Sequence, residues 1–396
     1  MIAAARVAAA IEILDLIRSG APAEKTLTTW GRTHRFAGSG DRLAIRDLVY
    51  DALRCRRSLA ALGGGDTGRG LMIGLMRRAG QDPAMLFTGL GHAPAVLGPA
   101  DVALPDQSDA LRLDVPDWLY PLLAADLGAD VGPVLRQLQS RANVFLRVNL
   151  RRADLPGAMA LLRRDGIETI AHPQVKTALQ VSGTARQIQQ SPAYLDGLVD
   201  LQDAASQAAV LRLPLHPGDR VLDYCAGGGG KALAMAAVAD VTIVAHDADP
   251  RRMADLPARA ARAGVSIETA DTAALLQRLP FDLVLVDAPC SGSGTWRRTP
   301  DAKWRLTAEA LARLGALQAA ILAQAAAHVG PGGLLAYATC SVLRAENQAQ
   351  IQGFTAAYPD WVLRDEMQLL PTEWGDGFYL ALLQRQTKQP EVATNA

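Results

Sequence analysis

The chain has 396 residues, 49% of them hydrophobic. It is too long for one ordinary domain of about 100 to 200 residues and too apolar to be disordered, and its 40 basic and 40 acidic residues leave no net charge. Four cysteines without a close CxxC or Cys/His cluster exclude a disulfide framework and structural zinc, while Arg6, Glu12, Asp15 and Arg18 exclude a signal peptide or membrane span at the N-terminus.

Residues 1–80 read as helices: Val7, Ile11, Ile13, Leu14 and Ile17 share one side of the first, and Leu43, Ile45, Leu48, Val49 and Leu53 stripe a second over about 42–59. The stretch 94–117, rich in proline and aspartate, predicts a linker, followed by two helices to about residue 140. NVFLRVNL (143–150) predicts a strand, LPGAMALLRRDG a helix, and TALQVSG (177–183) and ARQIQQS (185–191) short strands, which together make a small α+β module over 141–200. From there strands and helices alternate, as in a parallel sheet with crossover helices, through RVLDYC, VTIVAHD, SIETAD, FDLVLVDAP, GGLLAYATC and FYLALLQR. The expected division is therefore 1–140 helical, 141–200 α+β, 201–386 α/β, and a flexible tail at 387–396. Charge follows this division: residues 1–80 and 141–190 are basic and 81–140 acidic, so the first and third segments could hold a polyanion, although solvated helix faces are the simpler account of charge alone.

Cys225, Ala226, Gly227, Gly228, Gly229, Gly230 and Lys231 follow an apolar strand and open a helix, which places exposed backbone N–H groups at the positive end of that helix. A phosphate-binding P-loop fails here, because Cys225 stands where its first glycine belongs and Ala232 where its Ser/Thr belongs. Asp247, about twenty residues on at the next strand end, suits ribose hydroxyls, and Asp271, after the third strand, suits an exocyclic amine. Each also reads as the N-cap of a following helix. Asp287 and Cys290 follow the fourth strand and Cys340 the fifth. A nucleotide-like cofactor pocket beside two strand-end thiols points to methylation of a pyrimidine carbon. A thiolate added to carbon-6 makes carbon-5 electron-rich enough to accept a methyl group, and a base then releases the product.

The segments VLDYCAGGGGK, VDAPCSGSGTWRRTPDAKWR, AYATCSVLRAEN and DGFYLALLQR together resemble the Sun-type (RsmB-like) family of ribosomal RNA cytosine-5 methyltransferases, and GSGDRLAIRDLVYDALR resembles that family's NusB-like helical RNA-binding domain. The resemblance implies a Rossmann-like catalytic domain using S-adenosyl-L-methionine, an N-terminal all-helical domain, a small α+β module between them, and small-subunit ribosomal RNA as substrate; the few cysteines make a reducing cytoplasm the expected compartment, and the chain is expected to act as a monomer. It also implies Cys340 as nucleophile, Cys290 as the thiol that assists release, Asp287 as a carboxylate touching cytosine and cofactor, Lys231 facing the active site, and residues 225–231 with Asp247 and Asp271 as cofactor-binding. Two positions depart from the family pattern: Gly228 stands where proline is usual, and Ala232 where threonine is frequent.

Beyond the Pro-Cys turn, Arg297, Arg298, Lys303, Trp304 and Arg305 read as an RNA-contacting segment, the arginines on phosphates and Trp296 or Trp304 stacked on a base. The scattered histidines suggest no metal. Two rival readings stay open: a methyltransferase acting on another atom, which needs no thiol, and an RNA-binding assembly or antitermination factor that keeps the fold without catalysis.

Overall fold

The computed structural model describes residues 1–104, 108–183, 185, 187–275, 277–278 and 280–386, and the expected tail at 387–396 lies outside them. The chain divides into two units, Met1–Arg141 with Thr295–Ala308, and Ala142–Gly294 with Glu309–Ala396.

The first unit is helical. Val7, Ile13, Leu14 and Ile17 of the helix Ala3–Arg18 are buried against Ile45, Val49 and Leu53 of the helix Ser39–Arg54, as their spacing requires. The second expected helix is in fact two, because the backbone leaves helical geometry at Cys55 and a new helix runs over Arg56–Gly63. Asp114, from the linker, accepts the Ser58 amide at 2.9 Å and the Ser58 hydroxyl at 2.7 Å, capping the new helix from a distant point in the sequence. The next helix, Gly68–Arg78, crosses very close: a Cβ on Gly63 would lie 1.7 Å from the Gly70 carbonyl oxygen, and one on Gly74 2.0 Å from that of Leu59.

In the second unit the α+β module holds β1 (Phe145–Val148), β2 (Thr169–Ala171), β3 (Ala178–Val181) and β4 (Val199–Leu201), in the order β2-β3-β1-β4 with every pair antiparallel. Segment 185–191 forms a turn of 3-10 helix at Ile188–Gln190 instead of the expected strand. It has one apolar residue to bury, Ile188, and no alternation to sustain a sheet face. The short strands β2 and β4, three residues each, carried too little pattern to be anticipated.

The larger sheet comprises β5 (Arg220–Asp223), β6 (Thr242–Ala245), β7 (Ile267–Thr269), β8 (Phe281–Asp287), β9 (Val329–Thr339), β10 (Trp361–Leu369) and β11 (Phe378–Arg385), in the order β10-β11-β9-β8-β5-β6-β7. The strands from β9 to β7 run parallel, while β10 and β11 are antiparallel additions. This is the expected doubly wound α/β sheet. Strand β10 was not foreseen, since Arg364, Asp365 and Glu366 interrupt its apolar pattern, which an edge strand tolerates. Chain order reverses between β5 and β8, and that switch point opens a crevice at the carboxyl ends of the two strands. Among the described residues no helix is long and apolar enough to cross a membrane.

Candidate active site

The glycine turn sits at the switch point. Gly227 and Gly229 have φ of +52° and +75°, conformations that only glycine adopts without strain, and a Cβ on Gly229 would lie 2.2 Å from Leu256 Cδ1. The turn therefore keeps its backbone bare in front of the helix Gly230–Val238, whose first N–H groups point into the crevice. Asp247, just past β6, accepts the Gly227 amide at 2.9 Å and Arg252 Nη1 at 3.0 Å with one oxygen and the Asp249 amide at 3.0 Å with the other. It thus shapes the turn and retains lone pairs for a ligand hydroxyl. Asp271 is exposed and accepts the Ala274 amide at 2.8 Å, capping the short helix Thr272–Leu275.

At the end of β5, Asp223 is 1% exposed, and neither of its oxygens accepts a hydrogen bond of ordinary geometry. Burial, helped by the negative charge of Asp287, pushes its carboxyl up to about 7, with the Lys231 ammonium and then the Ala232 amide opposing. Lys231 Nζ donates to Asp287 Oδ2 at 2.5 Å and lies 4.9 Å from the centre of the Phe378 ring. Burial works against the charge on Lys231, but Asp287, and more weakly Asp223 and Cys340, hold its pKa above the ordinary value.

Neighbouring strands bring the thiols together. Because β8 and β9 are parallel with Asp287 opposite Ala338, the loops leaving them start side by side, and Cys290 Sγ lies 3.4 Å from Cys340 Sγ. The hydrogen bond with Cys340, and then burial, push the Cys290 thiol well above its usual range, and either sulfur can donate in that bond. One buried carboxylate anchors both loops. Glu346 accepts the Ser291 amide at 2.7 Å, the Ser291 hydroxyl at 2.5 Å, the Ser341 hydroxyl at 2.6 Å and Gln318 Nε2 at 3.1 Å. The Ser293 and Ser341 hydroxyls join the two loops at 2.8 Å, and the Gly294 amide donates to the Cys340 carbonyl at 2.9 Å.

Residues 210–384 match the model of the family described as 16S rRNA methyltransferase RsmB/F, and residues 115–187 match its ferredoxin-like domain. Ribosomal RNA small subunit methyltransferase B of Vibrio cholerae is 35% identical over 291 residues, spanning 70% of this chain and 67% of that protein. The chain belongs to the RsmB/F family. The Klebsiella pneumoniae protein of the same name is 34% identical over 285 residues, 68% of this chain and 65% of that one, so the match spans about two thirds of these relatives. Among solved structures, PH0851 superposes with a TM-score of 0.74 at 23% identity over 97% of this chain and 99% of that one. A methyltransferase homolog from Pyrococcus horikoshii gives 0.61 at 24% identity over 70% and 97%. At these identities the two structures establish the fold.

In this RsmB/F chain the crevice suits S-adenosyl-L-methionine: bare glycine backbone lies on one side, and the buried Asp223 carboxyl would offer a partner for a ligand ammonium. Residues 225–231, Asp247 and Asp223 would hold it. Lys231, Asp287, Cys290 and Cys340 share one side of the sheet's carboxyl edge. Cys225, whose thiol burial pushes up to about 12, contributes backbone to the turn and stays protonated. Much of the segment expected to grip RNA is buried. Arg297 and Lys303 are 0% and 2% exposed within the helical unit, and Trp296 is 1% exposed. Trp304 Nε1 donates to the Leu53 carbonyl at 2.7 Å, Lys303 Nζ to that of Arg54 at 3.3 Å, and Arg54 Nε to that of Arg297 at 2.7 Å. Trp304 and Lys303 cap the helix Ser39–Arg54, and Arg297 and Lys303 are buried away from any phosphate; Arg298 and Arg305 do face solvent. Sequence reasoning also missed Asp223 and Glu346. The acid before the glycine turn was a visible signal for the first, whereas nothing local marks the second as the anchor of two loops. Among the described residues no group of His, Cys, Asp and Glu is arranged to hold a metal ion.

Proposed function

We propose that this rRNA methyltransferase acts on carbon-5 of a cytosine in small-subunit rRNA, through a transient bond between Cys340 Sγ and carbon-6. The observation that carries this reading is the pair of thiols 3.4 Å apart at adjacent strand ends, beside Lys231 and Asp287. Cys340 Sγ as thiolate adds to carbon-6, and Asp287 holds the N3 edge of the ring. Bound S-adenosyl-L-methionine supplies the electrophilic methyl group. Once the Cys340 sulfur is bonded to carbon-6 it no longer holds the Cys290 proton, which passes to solvent, and Cys290 can then act as base. It then takes the carbon-5 proton, the electron pair restores the 5,6 double bond, and the Cys340 sulfur leaves. Lys231 stabilises negative charge on Cys340 and Asp287 throughout, since a buried ammonium interacts strongly with both. The target base must leave its stack for the ring to reach the sulfur, so a loop or an opened helix is the expected site. We infer a monomer working in the cytoplasm, without a metal.

The test is transfer of labelled methyl to rRNA followed by mapping of the modified base. The Cys290→Ala variant accumulates a protein–RNA adduct that survives denaturant, and Cys340→Ala gives neither adduct nor product. Activity retained by Cys340→Ala would instead identify a methyltransferase that attacks through a lone pair on nitrogen.

A further inference from the structure

The glycine turn is held from behind by a side chain that this chemistry does not use. Arg259, in the helix Leu256–Ala263, donates through Nη1 to the Gly228 carbonyl and through Nη2 to Asp200 Oδ2, the latter at 2.7 Å. Asp200 belongs to β4 of the α+β module and also faces Arg262 at 3.4 Å and the buried Arg147 at 3.7 Å. The far end of the helix is pinned to the same module. Asn149 Nδ2 donates to the Ala263 carbonyl at 2.8 Å, and Arg152 Nη1 donates to the carbonyls of Asp196 and Arg262, each at 2.6 Å. A Cβ on Gly197 would lie 2.0 Å from the Arg262 carbonyl oxygen, which shows how tightly the module's backbone abuts the helix. Helix and module therefore present the Arg259 guanidinium as a fixed fork.

Around Gly228 the turn is closed by the Gly229 amide, which donates to the Ala226 carbonyl at 2.8 Å, and the Gly228 carbonyl is left to Arg259. Gly228 lies between two glycines of positive φ, its own φ is outside that region, and its amide donates no hydrogen bond among the described residues. A glycine left free loses more conformational entropy on ordering than any other residue, and in a binding loop that loss is taken from ligand affinity.

We propose that Arg259 is a positioning residue: by bridging Asp200 and the Gly228 carbonyl it holds the turn in its cofactor-binding conformation, supplying from the α+β module the restraint that a proline ring at 228 would supply locally. The inference rests on the reading that this turn receives S-adenosyl-L-methionine. A turn that must be ordered on binding weakens affinity and leaves methyl transfer unchanged once the cofactor is in place.

Calorimetric titration of the full chain with S-adenosyl-L-methionine, alongside methyl-transfer kinetics, decides it. Arg259→Met raises the Kd and the cofactor KM by about tenfold while kcat stays within about twofold of wild type. Adding Gly228→Pro to that variant restores the Kd to within about threefold, because proline fixes φ and removes no hydrogen bond here. Arg259→Lys keeps the ion pair with Asp200 but its single ammonium cannot span both acceptors, so it too loses affinity; this variant carries the decision if Arg259→Met melts well below wild type. Undiminished affinity in the folded Arg259 variants overturns the proposal, as does a loss that Gly228→Pro fails to restore. Wild-type protein that does not bind S-adenosyl-L-methionine at all refutes the cofactor reading itself, and is recognised before any variant is made.

Discussion

Asp223 makes the stability of the cofactor-free protein depend on pH in a direction opposite to that of most carboxylates. Its carboxyl is moved from the ordinary 3.8 to about 7, chiefly by burial. At roughly 1.4 kcal/mol per pH unit, ionising it inside the fold costs about 4 kcal/mol. Because the folded pKa lies above the unfolded one, this contribution is fully present below about pH 4 and is lost as the pH rises through about 7. Replacing Asp223 with asparagine removes the titration and keeps the shape. In urea unfolding of the cofactor-free protein, Asp223→Asn gains on wild type by about 3 kcal/mol more at pH 8 than at pH 5. Cofactor binding reports the same group from the other side. A ligand ammonium favours the ionised carboxyl, so wild-type affinity rises between pH 6 and pH 8, and that of the variant does not. A stability difference that is the same at both pH values refutes the reasoning, since it means that Lys231 keeps Asp223 ionised throughout.

Glu346→Ala leaves four buried donors, on Ser291, Ser341 and Gln318, without their acceptor, and lowers stability by about 3 kcal/mol in urea unfolding. In the same variant, adduct formation on a Cys290→Ala background slows as well, because the Pro-Cys and Thr-Cys loops lose their common anchor; an unchanged adduct rate argues that the loops hold their geometry independently. Lys303→Met leaves rRNA affinity and its salt dependence unchanged in filter binding, since this lysine, pushed down to about 8 by burial, does not reach solvent. A shallower salt slope in that variant would place Lys303 on phosphate after all.

Much of the candidate site could be read from the sequence because its parts are local. The glycine turn, the acids at strand ends and the Pro-Cys and Thr-Cys positions each follow an apolar run of strand length, and a strand emptying into a loop at the carboxyl edge of a parallel sheet is where chemistry collects. The charged and aromatic segment 296–305 was misleading for the same reason. Its residue types suit RNA, but whether Lys303 meets a phosphate or caps a helix, and whether Arg297 reaches solvent, depends on what folds over them. Strand β10 and the short strands of the small module escaped notice because edge and three-residue strands carry little periodic signal.

By itself the sequence determined the alternation of strand and helix, the bare turn, and the presence of two thiols at strand ends, since each is written in neighbouring residues. Only the tertiary structure decided that β8 and β9 lie side by side in a register that brings Cys290 and Cys340 to 3.4 Å, that one glutamate ties their loops, and that Arg259 reaches from a helix to a carbonyl of the turn. Strand order, register and burial are set by contacts between residues far apart in the chain, and no local pattern encodes which of them will meet.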